Sequence, residues 1–239
     1  MDRIPIDTTK RYTMIRLKHI LQELKQRDGK RDDKRDDNAP ESAKVGYMFI
    51  GDSLSSEPGG FTWNGKLDKA YNLGATHVYK IGETTSWMAA NALPIINKAP
   101  YGTFKKVVIW GGTNDAYNDR ISPSSTISNL KAISNAVKAK GGQLFVFLGY
   151  DARQVMVGQP EYGGKTKNGT DYTQGTAREF KLRTIDIFDR IADGIGQAII
   201  IPRVPGAKSD WAKNDGVHVS GTAHGQIAQH VWNWPGVKP

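Results

Sequence analysis

Apolar positions along the chain fall into two periods. Short apolar runs recur from residue 45 onward, four of them closed by glycine: Val45–Ile50 before Gly51, Thr76–Ile81 before Gly82, Lys106–Trp110 before Gly111-Gly112 and Gln143–Leu148 before Gly149, with a fifth at Ala198–Ile201. Between and after these runs the apolar residues recur at helical spacing, which predicts helices near 64–72, 86–98, 124–140, 176–195 and 220–232. Ser122-Pro123-Ser124 supplies a helix start for the third of these, and Gly141-Gly142 a stop. The short runs do not alternate apolar with polar, so they read as strands buried on both faces. Strands of that kind alternating with helices predict a parallel sheet layered by helices on both sides.

The first 43 residues follow another pattern. Met14, Leu17, Leu21 and Leu24 are spaced three, four and three apart, and Ile15 and Ile20 widen the stripe, predicting a helix over 10–27. Residues 28–43 are dominated by charged and turn-forming side chains that cannot bury apolar surface, and read as a solvated linker. The chain therefore divides into an N-terminal helical extension (1–27), a charged linker (28–43) and an α/β domain (44–239). A lone helix of this length is marginal in water and needs something to pack on. Set apart by a hydrophilic linker, it reads as an element that docks on a protein partner or self-associates through residues 10–27. Packing on its own domain is the alternative.

Composition narrows the class. The 239 residues suffice for one α/β domain with an appendage. Mean hydropathy is −0.52, and the longest apolar runs are strand-length, so no membrane-spanning helix is expected. Residues 1–10 carry no apolar core of a secretory signal, which points to a cytoplasmic or virion-associated protein. The chain has no cysteine, which excludes disulfides, thiolate metal sites and a thiol nucleophile. The net charge of +9 is spread, with +3 over residues 1–44 and +6 over the rest. No nucleic-acid-binding motif accompanies it, so a basic soluble surface without a specific nucleic-acid partner is expected.

Candidate chemistry clusters just after the strands, where a parallel sheet opens its crevice. Gly51-Asp52-Ser53-Leu54 follows the first run, Gly82-Glu83-Thr84 the second and Gly112-Thr113-Asn114-Asp115 the third, while Asp215-Gly216-Val217-His218 lies near the C-terminus. Acyl transfer needs a hydroxyl nucleophile, a base for its proton and donors for the developing oxyanion. Ser53 supplies the hydroxyl, on a turn that opens toward a helix. His218 supplies the base, and Asp215, three residues before it, a partner for the second ring nitrogen. Gly82 offers an unobstructed backbone N–H and Asn114 a side-chain amide. Taken singly, each has a plainer reading: Ser53 as a helix cap with Asp52 a turn residue, Asn114 and Asp115 as turn formers, His218 as a loop histidine. His19, His77, His224 and His230 lack the Asp-x-x-His context and are assigned no catalytic role.

In order and in position these four segments resemble the blocks of the SGNH (GDSL) hydrolase family: the GDSL turn, the glycine after the second strand, GxND and DxxH. The resemblance covers residues 45–232. It implies a flavodoxin-like three-layer α/β/α fold with a five-stranded parallel sheet in the order 2-1-3-4-5. It also implies a serine ester hydrolase with catalytic Ser53, His218 and Asp215, an oxyanion hole from the Ser53 N–H, the Gly82 N–H and the Asn114 amide, and no metal or organic cofactor. The surroundings of Ser53 lack the G-x-S-x-G elbow of the α/β-hydrolases.

Family members act on acetylated sugars, lipids, thioesters and aryl esters. The long polar segment 150–175 follows the fourth strand and carries Tyr150, Tyr162 and Tyr172, which with Trp87 make an aromatic, wet surface suited to a sugar, or simply anchor the loop. A short-acyl esterase, acetyl on a cell-wall or capsular glycan, is the expectation, with a lipid or thioester hydrolase as the alternative. A helix and charged linker ahead of such a domain also suit a structural or adhesive module of a larger assembly such as a phage virion.

Overall fold

The structure is a computed structural model, and it describes residues 45–55, 61–117, 121–150, 186–206, 211 and 218–239. The N-terminal helix and the charged linker lie outside the described residues, as do Tyr162, Tyr172 and Asp215.

Five strands form one parallel sheet: β1 (Tyr47–Gly51), β2 (Thr76–Tyr79), β3 (Lys106–Trp110), β4 (Gln143–Phe147) and β5 (Ile199–Ile201). Their spatial order is β2-β1-β3-β4-β5, the expected 2-1-3-4-5, and every pairing is parallel. The helices are α1 (Trp63–Tyr71), α2 (Thr85–Lys98), the short α3 (Thr113–Tyr117), α4 (Pro123–Ala139), α5 (of which 186–194 are described) and α6 (Gly221–Asn233). α1 packs on α6, and α2 on α4.

The register explains why the strands read as unbroken apolar runs. Phe49 aligns with Val108, and Gly51 with Trp110, so in-register neighbours share a face. The face toward α1 and α6 is aromatic. Phe49 meets Trp63 edge-on at 5.5 Å, Tyr47 and Trp232 lie 6.3 Å apart, and Trp110 and Phe147 meet at 5.0 Å. Met48, Ile50, Val107, Ile109, Leu144 and Val146 occupy the alternate positions on the opposite face, which is aliphatic, and all are buried. The tail is tied in as well. The Tyr47 hydroxyl donates to the Val237 carbonyl at 2.7 Å, and burial pushes this phenol up to about 12.

Helix boundaries follow local chemistry. Ser122 caps α4, accepting from the Ser125 N–H at 3.2 Å with Pro123 in the first turn, and Ser220 caps α6 through the Ala223 N–H at 3.3 Å. After β1 the chain forms a 3-10 turn, Ser53–Ser55, and α1 spans Trp63–Tyr71, close to the expected 64–72. One element differs from expectation. After β3 the Gly112-Thr113-Asn114-Asp115 segment is a turn of helix rather than an open turn.

Candidate active site

The carboxyl edge of the sheet collects the predicted groups. Ser53 is half-buried at the start of the 3-10 turn, and its Oγ lies 2.9 Å from Nε2 of His218, which is 165 residues further along the chain. Gly51 is required for the turn to close on the strand: a Cβ there would lie 2.3 Å from the Ser55 Oγ. The turn is drawn in by Asp52, whose Oδ1 accepts the Leu54 N–H at 2.9 Å.

Asn114 sits in α3, which the chain reaches by turning sharply at Gly112, whose φ of +117° disfavours any residue with a Cβ. Its amide nitrogen donates twice, to Asp52 Oδ2 at 3.1 Å and to the Glu83 carbonyl at 3.0 Å. That carbonyl belongs to the turn that carries Gly82, so the three strand-end turns are linked. Gly82 is exposed with φ +76°, and a Cβ at that position would meet nothing within 4 Å; the backbone conformation, not crowding, favours glycine there. The turn is braced on its outer side by the Lys80–Glu83 ion pair at 2.6 Å, and Lys80 also lies over the Trp87 ring at 5.7 Å.

Asp115 has a different role from its neighbour. It is buried, and its carboxylate accepts from the Thr85 N–H at 2.9 Å, from the Thr85 hydroxyl, and from the Thr126 hydroxyl at 2.8 Å. Thr84, the N-cap of α2, makes no side-chain cap, so Asp115 satisfies an N–H at that helix end from across the structure. Asn129 extends the network to Thr85 and Ser86.

Asp52 and Asp115, for which the sequence alone offered a turn-forming reading, are thus the two carboxylates buried beneath the site among the described residues. Burial pushes the Asp52 carboxyl up to about 7, against the opposing pull of the Leu54 N–H and of positive charge on His218; the Asp115 charge adds to the rise. Neither role has a local signature, because the partners lie in other elements. His77, assigned no catalytic role from sequence, is held by Asp68 at 3.0 Å and by Asn64 at 3.2 Å, and Asn64 in turn holds the Ser55 carbonyl at 2.9 Å. Asp215 lies outside the described residues. Of the proposed aromatic surface, Trp87 is half-buried and Tyr150 packs edge-on against the buried Trp211 at 6.2 Å.

Among the described residues no cluster of three or more His, Asp or Glu side chains could hold a metal, and no helix is long and apolar enough to cross a membrane.

This sheet order, with Ser53 in the turn after β1, is the fold of the GDSL hydrolases, and the solved structures similar to the chain share it. A G-D-S-L family lipolytic protein from Veillonella parvula superposes with a TM-score of 0.58 at 15% identity, over 80% of this chain and 97% of that one. A mutant of Axe2, a Geobacillus acetyl-xylooligosaccharide esterase, gives 0.53 at 15% identity, over 82% and 99%. A GDSL-like lipase from Bacteroides thetaiotaomicron gives 0.51 at 16% identity, over 80% and 88%. No protein-family model matches the sequence, and no curated protein matches it by sequence.

Proposed function

We propose that this protein is a serine ester hydrolase that removes short acyl groups, acetyl foremost, from a carbohydrate. The observation that carries the reading is the 2.9 Å contact between Ser53 Oγ and His218 Nε2 at the carboxyl edge of the sheet, with the Asn114 amide anchored beside the same turn. His218 takes the Ser53 proton as the hydroxyl attacks the ester carbonyl, and the Ser53 N–H, the Gly82 N–H and the Asn114 amide receive the oxyanion. His218 then gives its proton to the leaving alcohol. Water, activated by the same imidazole, cleaves the acyl-serine ester, and the acid departs. Asp215 orients the imidazole.

The fold shared with an acetyl-xylooligosaccharide esterase supports the acetyl and sugar assignment. One observation favours longer acyl chains as the second reading. Phe61, beside the N-cap of α1, and Ile81, beside Gly82, are 70% and 71% exposed at the edge of the sheet where Ser53 lies.

Hydrolysis of p-nitrophenyl acetate, butyrate and octanoate by wild type and Ser53→Ala tests both. Ser53-dependent turnover that falls with chain length supports the acetylesterase reading, and turnover that rises supports the lipolytic one. Absence of turnover together with absence of Ser53 labelling by a fluorophosphonate refutes the enzyme.

A further inference from the structure

We propose that Asp52 is the positioning residue for the Asn114 amide, its two carboxylate oxygens holding the nucleophile's turn and the oxyanion donor in one fixed relation. This rests on the esterase reading for its catalytic meaning, though not for its geometry.

The carboxylate is buried, 1% exposed, and each oxygen has its own donor: Oδ1 the Leu54 N–H at 2.9 Å, Oδ2 the Asn114 amide at 3.1 Å. Both partners are donors, so both ends of the side chain must accept. An ionised carboxylate does this. An asparagine or a neutral acid has an acceptor at one end and a donor at the other, and would turn that donor against either Leu54 or Asn114. Holding the turn alone needs one acceptor, which asparagine supplies without a buried charge. The second oxygen is what calls for the carboxylate, and it is spent on Asn114. The other Asn114 hydrogen goes to the Glu83 carbonyl, so the amide nitrogen is held between the turn of Ser53 and the turn of Gly82. An oxyanion formed there shares a hydrogen of an amide already in place, with no side-chain rotation to wait for. Of the other titratable groups, Asp115 from α3 and His218 from the segment before α6 act on Asp52.

The test is a double-mutant cycle on Ser53-dependent p-nitrophenyl acetate hydrolysis with Asp52→Asn, Asn114→Ala and the pair. Each single change is expected to lower kcat by about 10²-fold, the cost of one oxyanion donor, with KM changed little. The pair is expected to be no more than about threefold worse than Asn114→Ala. Losses that multiply, or an unchanged kcat in Asp52→Asn, overturn the proposal. A second measurement needs no turnover and no Asp52 variant. In His218→Ala protein, the Asn114 side-chain amide resonances are followed from about pH 5 to about pH 9. A titration of both amide protons is expected, with a midpoint displaced upward because the His218 charge that opposed the rise of the Asp52 carboxyl is gone, and pH-independent resonances overturn the proposal. If wild type shows no Ser53-dependent turnover, the esterase reading fails and the resonances alone decide the role of Asp52.

Discussion

Replacing Asp52 by asparagine should change how stability depends on pH, in a direction and amount that follow from burial. Burial raises the carboxyl from an ordinary value of 3.8 to about 7. At about 1.36 kcal/mol per unit this is about 4 kcal/mol of differential stability between the two protonation states. The sign follows from proton counting. Between about pH 4 and about pH 7 the folded protein holds the proton and the unfolded chain has released it. Stability therefore falls as pH rises through that window, by up to about 1.4 kcal/mol per unit, and levels above it. Below the window both states are protonated and the penalty is absent. The asparagine of the variant does not titrate, and the other groups of the protein largely cancel when variant and wild type are compared. The unfolding free energy of Asp52→Asn minus that of wild type should climb by about 3 kcal/mol between pH 5 and pH 8, on top of a constant offset of about 1–3 kcal/mol for the acceptor lost. Urea unfolding followed by tryptophan fluorescence reads it, since Trp63 and Trp110 are buried in the core. A difference that stays flat across this range refutes the reasoning, because it would mean that the carboxyl titrates alike in both states.

Three further outcomes are expected. Asp115→Ala strands the Thr85 N–H and hydroxyl proton in the interior, leaves the Thr126 hydroxyl only its 3.4 Å contact with the Ser122 carbonyl, and should cost about 3–5 kcal/mol, measured as a lowered urea midpoint at neutral pH. Gly46→Ala puts a Cβ 1.6 Å from the Thr103 carbonyl oxygen, a backbone atom that cannot swing aside, and should destabilise by more than about 3 kcal/mol or prevent folding, judged by thermal melting. Asp215→Asn should reduce kcat less than His218→Ala if its role is to orient the ring, as steady-state kinetics on p-nitrophenyl acetate would show.

The sheet was legible in the sequence because its strands are buried on both faces: an apolar run such as Lys106–Trp110 has no polar interruption to hide it, and its neighbours in the chain are glycine turns. Ser53 and His218 were legible because both lie in short, patterned segments at the edges of elements. Asp52 and Asp115 were not, although they stand inside the same segments. Their partners are Asn114, 62 residues from Asp52, and Thr85, 30 residues from Asp115, and no local period records a contact of that range. The short helix at Thr113–Tyr117 was missed for a related reason: its glycine approach reads as a turn, and what makes it helical is the docking of Asp115 under α2.

The distance in sequence between Ser53 and His218 also bears on how the protein is made. Ser53 is synthesised 165 residues ahead of His218. A nascent or truncated chain can carry the entire sheet and still hold no base against its serine. Under the esterase reading, activity switches on only when the segment of His218, which leads into α6, has seated and α6 packs on α1, so an appearing ester-cleavage signal during synthesis or refolding would time that docking step directly.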